Sequence, residues 1–208
     1  MEGIHLVLAV ILTAALTAGG MWYFGRERQL RRTIARLPIV KVRDVTPGLE
    51  VRVTGALVLG SATLEAPFSH RVCAHYDALL EERYLEDGEE AWHTVAHEAA
   101  SRPFFIEDET GRIEIDTARF EGVIVRDHHK AKGDLDVEKA RAFLAKHGQK
   151  SEIPADRVLR YREGVLEAGE TVTVLGTARE ESREGKRRLV LGEGTGPVRA
   201  SDDPDLVR

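Results

Sequence analysis

Hydrophobic residues follow two different patterns along this chain. From Ile4 to Phe24 no side chain is charged and the only strongly polar one is His5, while Leu6, Val7, Leu8, Val10, Ile11, Leu12 and Leu16 are closely spaced. About twenty such residues cross a hydrocarbon core of roughly 30 Å as a helix, so 4–24 is predicted to be a transmembrane helix. A cleaved signal peptide fits less well. Met1, Glu2 and Gly3 offer no basic region, the apolar run is too long, and the candidate cleavage site at Leu16 to Ala18 carries a bulky residue where a small one is needed.

Beyond Phe24 the pattern turns basic. Arg26, Arg28, Arg31, Arg32 and Arg36 are opposed only by Glu27, and Trp22 and Tyr23 stand at the boundary, where amphipathic rings prefer to lie. Residues 25–37 are expected to continue as a basic juxtamembrane helix. The arginines predict the N-terminus outside and the remainder of the chain cytoplasmic, facing the anionic headgroups of the bilayer.

From about residue 38 the apolar positions alternate, as half-buried strands require. Val40 and Val42, Val51 and Val53, and Leu57 and Leu59 are separated by polar residues, with a turn at Pro47 and Gly48. Gly55 inside the run predicts a bulge or bend of the kind barrel corners need. Val72 to Tyr84 reads as a long strand, Asp87 and Gly88 as a hairpin turn, and Trp92 to Ala100 as the antiparallel return. Phe104 to Ile106, Asp108 to Gly111, and Ile113 with Ile115 predict a second, tight hairpin.

One helix stands out, capped by Asp134 or Asp136. Val137, Ala140, Phe143 and Leu144 form its apolar face, and Lys146, His147 and Gly148 its stop. Val172 with Val174, and Leu189 with Leu191, supply further strands, and the Gly, Pro, Asp and Ser of 196–208 predict a flexible tail. The expected architecture is mainly β, a small curled antiparallel sheet or partly open OB-like barrel over 38–195.

Charge narrows the partners. Beyond Arg36, 25 basic residues face 33 acidic ones, a net charge of about −8. Nucleic acid, which needs clustered Lys and Arg, is not an expected partner. The single cysteine, Cys73, excludes an intramolecular disulfide and any zinc site needing three or four thiolates from this chain.

Several local patterns fall in a particular order. LEAPFS with Pro67, Phe68 and Ser69 precedes Cys73, Tyr76 and Trp92. PFFIEDETG then carries Pro103, Phe104, Asp108 and Gly111, and YREGVLEAGETVTVLG carries Tyr161, Glu163, Gly169 and Gly176. In order and spacing these resemble the GIDE, or beside-a-membrane, domain of mitochondrial membrane-embedded RING-type ubiquitin ligases and of prokaryotic membrane proteins. The resemblance covers about 38–195. His70 departs from the pattern, in which a small residue, often Gly, follows the Ser. The ligases add a second membrane span and a RING; this sequence has neither, and no Cys or His follows Gly192. The resemblance alone carries the label of ubiquitin transferase. It implies an anchored module binding a protein partner or a membrane-proximal ligand.

Enzymatic chemistry would have to come from few residues. His93 and His97, four apart in HTVAHEAAS, would share a face in a helix or a regular strand, and Cys73 and His75 would share a side of theirs, giving a conceivable metal or hydrolytic site. The HExxH pattern is not met, however, and Cys73 lies in an apolar strand, where cysteine is commonly a small buried hydrophobe. His128 and His129 sit in a charged loop with Lys130 and Lys132. There is no G-x-S-x-G elbow, GEGTG from Gly192 lacks the lysine of a phosphate loop, and neighbouring acids such as Asp108, Glu109, Glu114 and Asp116 arise by default in an acidic hairpin. No catalytic residue and no cofactor is expected.

Overall fold

The computed structural model describes residue 25 and residues 27–208 except 87, 131–134, 155 and 184. The predicted transmembrane helix at 4–24, Arg26, and the alternative cap Asp134 lie outside the described residues. Helix α1 covers residues 27–35 and is followed by β1 (Ile39–Val40), a 3-10 turn (Val42–Asp44), β2 (Glu50–Leu59), β3 (Leu64–Glu65), β4 (Val72–Cys73), β5 (His75–Glu86) and β6 (Glu89–Ser101). Then come β7 (Phe104–Asp108), β8 (Gly111–Ile115), β9 (Phe120–Val123), β10 (His128–Lys130), helix α2 (Val137–Lys146), β11 (Leu159–Leu166), β12 (Thr171–Arg183), β13 (Lys186–Gly192) and β14 (Val198–Ser201). Among the described residues no helix is long and apolar enough to cross a membrane.

The alternating valines and isoleucines close a five-stranded barrel. The ring runs β2, β7, β8, β13, β12 and back to β2, antiparallel throughout except for the parallel pair β13 and β8. The barrel is thus closed, where the sequence suggested a partly open one. The cause is the length of β2, which pairs with β12 over 50–56 and with β7 over 56–59. Gly55 stands at the handover, and a Cβ there would collide with the Glu107 carbonyl. Val53, Leu57, Phe104, Ile106, Ile113, Ile115, Val172, Val174 and Leu191 fill the interior at 0–1% exposure. Each such side chain removed from water stabilises the fold by roughly 1.5–3 kcal/mol before chain entropy is counted.

A second sheet, ordered β10, β11, β5, β6, forms a separate layer. Helix α2 covers one of its faces with Ala140, Phe143 and Leu144. Asp136 caps it, accepting from the amides of Glu138 at 3.0 Å and Lys139 at 3.2 Å, and Gly148 at φ 67° ends it. Val137 lies outside the apolar stripe and is 43% exposed.

The C-terminal residues depart most from expectation. The segment read as a flexible tail contains β14, which pairs with β12 and β9, and Val198 and Ala200 are fully buried in the barrel cluster. Leu206 joins Ile34 of α1 and Val123 in a small third cluster. The buried Arg52 guanidinium ties these parts together. It donates to Thr173 Oγ1 at 3.1 Å, the Leu37 carbonyl at 3.3 Å and the Leu206 carbonyl. Gly and Pro at 192–197 mark a turn into a strand too short to show periodicity.

Candidate functional site

The loop from Leu64 to Tyr76 is built around a buried carboxylate. β3 and β4 make a small hairpin, with Leu64 opposite Cys73. Between them the chain turns so tightly that His70 adopts φ 58°. The departure from a small residue there is tolerated because histidine enters the left-handed region more readily than most side chains. Glu163, fully buried on β11, accepts from the amides of Phe68 at 2.9 Å and Ser69 at 3.0 Å. Lys139 of α2 donates to the Phe68 carbonyl at 3.1 Å. The Phe68 ring stacks on Tyr161, 4.6 Å between centroids and 8° from parallel, and tilts against Phe143 at 4.9 Å. Glu163 therefore satisfies backbone donors that would otherwise be buried without partners.

The candidate metal or hydrolytic residues diverge. Cys73 is fully buried in the cluster with Phe68, Tyr76 and Ala78, and burial, helped by the negative charges of Glu163 and Glu170, pushes its thiol up to about 12. A thiol held neutral in this way is neither a nucleophile nor a ready metal ligand. His75 instead packs its ring on Phe120 at 4.8 Å and is hydrogen-bonded through Nδ1 to Ser101 Oγ at 2.9 Å. Cys73 and His75 thus belong to different surroundings, because the expected strand from Val72 to Tyr84 breaks at Ala74 into β4 and β5.

His93 and His97 are separated by a β-bulge. The register of β5 and β6 shifts between Leu80 and Glu81, so His97 pairs with Leu79 while His93 pairs with Glu82. Leu79 and Glu82 are three apart and face opposite ways, and the two histidines follow them. His93 meets the Tyr84 ring edge-on at 5.3 Å; His97 donates from Nε2 to Asp77 at 2.7 Å. The one-face arrangement expected from their even spacing does not form.

The remaining signature residues hold the fold. Tyr76 donates to Glu98, which also accepts from Lys146 at 2.7 Å and His147 at 3.0 Å and so docks the end of α2. Trp92 lies under the Arg160 guanidinium at 4.0 Å. Phe104 is fully buried, the Pro103 carbonyl closes on Gly60, and Gly169 turns at φ 87°. Asp108 accepts from the Thr110 and Gly111 amides, at 2.7 and 3.1 Å, and from the Val42 amide at 3.0 Å, fixing the hairpin against the 3-10 turn. Gly176 lies where β12 passes the Gly192 carbonyl, 3.3 Å from any added Cβ.

The opposite face of the second sheet holds a cleft of about 350 Å³ that the sequence did not single out. It lies between α1 (Glu27, Leu30), β5 and β6 (His75, Asp77, His97, Ala99) and the segment from Phe120 to Arg126. Burial opposes the charge on Asp77, but the His97 hydrogen bond and the Arg126 guanidinium outweigh it and hold the carboxyl below its usual range. Burial pushes His75 down to about 4, so its imidazole is neutral near pH 7. Gly164 of β11 lets the chain cross this face: a Cβ there would lie 2.9 Å from the Val125 carbonyl oxygen and 3.0 Å from Ile124 Cγ2.

A closed β-barrel carrying a second sheet and a docked N-terminal helix defines the class of protein. The GIDE family, described as E3 Ubiquitin ligase, matches residues 78–188, more than half of the chain, and this chain belongs to that family. It is similar to an uncharacterized membrane protein of Arabidopsis thaliana, 28% identical over 195 residues. The match covers 83% of this chain and 40% of the plant protein. No solved structure matches.

Proposed function

We propose that this chain is a single-pass, membrane-anchored GIDE protein whose β domain, of OB type, lies in the cytoplasm and binds a protein partner or a membrane-proximal ligand without catalysing a reaction. The observation that carries this reading is the use made of the signature side chains. Glu163 is spent on two backbone amides, Asp108 on a hairpin, Tyr76 and Glu98 on docking α2, and Cys73 is sealed inside an apolar cluster. Anchoring is supported by the uncharged run 4–24 and by similarity to a membrane protein. The OB reading is supported by the strand order of the ring and its single parallel pair.

The family description names a ubiquitin ligase, yet one cysteine cannot supply the ligands of a two-zinc RING within these 208 residues. The chain alone is expected not to accelerate discharge of ubiquitin from a charged carrier protein, and acceleration there would overturn the non-catalytic reading. A reporter fused after Arg208 tests the topology. A fusion active in the cytoplasm supports the proposed orientation; one active only on the outer side refutes it.

A further inference from the structure

The cleft beside α1 lies where the chain would leave a bilayer. Glu27 and Leu30 line it, three and six residues beyond the end of the apolar run at Phe24. A helix running unbroken from that run into α1 would set them about 5 to 9 Å along its axis. The headgroup layer on one side of a bilayer is about 5 to 7 Å deep. The mouth of the cleft therefore falls at the level of headgroups and glycerol in the membrane-anchored reading above, on which this inference rests.

Its lining is amphipathic, and each of its carboxylates has an arginine partner, Arg126 within the lining and Arg31 and Arg199 beyond it. Leu30, Phe120, Val123 and Ile124 make an apolar wall, and Gly122 keeps that wall continuous, since a Cβ there would crowd Ile124 at 2.9 Å and Phe120 at 3.3 Å. On the polar side Asp77 is paired with Arg126, Glu27 with Arg31, and Glu121 with Arg199. The lining itself carries three carboxylates and one guanidinium, Arg31 and Arg199 lying beyond it, a balance that admits the cationic end of a zwitterion and disfavours a bare anion. The strand edge of β9 away from β14 has no ladder partner among the described residues. The volume suits part of an amphiphile, and junctions between separately packed layers are where ligands are commonly held.

We propose that this cleft holds a zwitterionic phospholipid of the surrounding bilayer, with its acyl and glycerol portion against Leu30, Phe120 and Ile124 and its polar portion at the Asp77, His97 and Arg126 rim. The lipid would then join α1 to the second sheet and fix how the domain sits on the membrane.

The test uses the full chain in nanodiscs containing phosphatidylcholine with a photoactivatable diazirine high on its acyl chain, and adducts are mapped by mass spectrometry. Adducts are expected at Leu30 or within 120–124 as well as within 4–24. Ala99→Trp, on the exposed part of β6 that lines the cleft, should reduce the former at least fivefold and leave the latter and the thermal midpoint unchanged. Ala99→Leu should give an intermediate loss, so that a folding defect in one variant does not decide the matter. Adducts confined to 4–24 would overturn the cleft assignment while leaving the anchor intact, and would leave the cleft to a protein partner or solvent. Cleft labelling insensitive to both variants, or obtained only with the same diazirine on phosphatidylglycerol, would overturn it as well. No labelling of 4–24 at all would remove the anchored reading and this inference together.

Discussion

The two faces of the β5–β11 sheet bury acidic groups by opposite means. On one face Glu163 lies among Tyr161, Ala78 and the Phe68 loop, held by backbone amides that cannot move without unmaking the loop. On the other, Asp77 is held by the side chains of His97 and Arg126, which can rotate or exchange partners. A carboxylate fixed by backbone is part of the fold; one fixed by side chains at the edge of a cleft can respond to a ligand. The Phe68 loop and Glu163 of the family signature lie on the first face and the candidate binding surface on the second.

The largest effects should come from the signature face. Phe68→Ala removes a ring that is 5% exposed and packed between Tyr161 and Phe143, and should cost about 3–5 kcal/mol of unfolding free energy in denaturant titration. Glu163→Ala should cost about 2–4 kcal/mol, because one buried and one half-buried amide lose their acceptor. Glu163→Gln keeps one acceptor oxygen and should recover part of that loss. If both Glu163 variants unfold like the native chain, the loop is not held as described and the contrast between the faces collapses.

Acid should act on the cleft face, through two groups that oppose each other. Burial holds the folded pKa of His75 at about 4, below the roughly 6.5 of an unfolded histidine. Its contribution is fully present above the unfolded value and is lost as pH falls toward 4, amounting to about 3 kcal/mol. Asp202 accepts from the amide of Val125, between two cleft-lining residues, and burial raises its carboxyl to about 6. It penalises the folded state above that pH and relieves the penalty between 6 and 4, by about 2 kcal/mol after allowance for its partial exposure. These two contributions nearly cancel between pH 6.5 and 4. His75→Gln should therefore make the protein gain stability on acidification, and Asp202→Asn should make it lose about 3 kcal/mol over the same window. Equal pH dependence in the native protein and both variants would show that neither group titrates as its surroundings require.

Much of the barrel was legible because strand alternation is local. Val51 with Val53, Leu57 with Leu59 and the Asp108 hairpin announce themselves within a few residues. The bulge between His93 and His97 did not, since one extra residue in a long charged strand leaves no composition signal yet reverses the face of everything beyond it. Glu163 was selected only through the family pattern. A direct signal was nevertheless present: it alternates with Tyr161 and Val165, so an acidic side chain occupies a position on the apolar face. The pairing of Asp77 with Arg126 was not legible, because it depends on how the segment after β9 crosses the second sheet, visible in sequence only as Gly164. The five arginines also read as a uniform topological cluster, whereas among the four described, Arg31 and Arg36 are paired with Asp203 and Glu50 and Arg28 and Arg32 are exposed.

That difference among the arginines gives the smallest effect and the sharpest test of what holds the cleft together. Arg31 bridges Glu27 on its own helix and Asp203 near the C-terminus, so it joins α1, one wall of the cleft, to the end of the chain. Asp203→Asn weakens that bridge while leaving Ile34, Leu30, Val123 and Leu206 packed together. At a partly exposed site the loss should be about 0.5–1 kcal/mol and should shrink as salt is added. Hydrogen exchange should report it as faster opening of residues 27–35 with no change at 64–76. A uniform rise in exchange across both regions would mean that α1 and the signature loop unfold as one unit, and that the two faces of the sheet are not mechanically distinct.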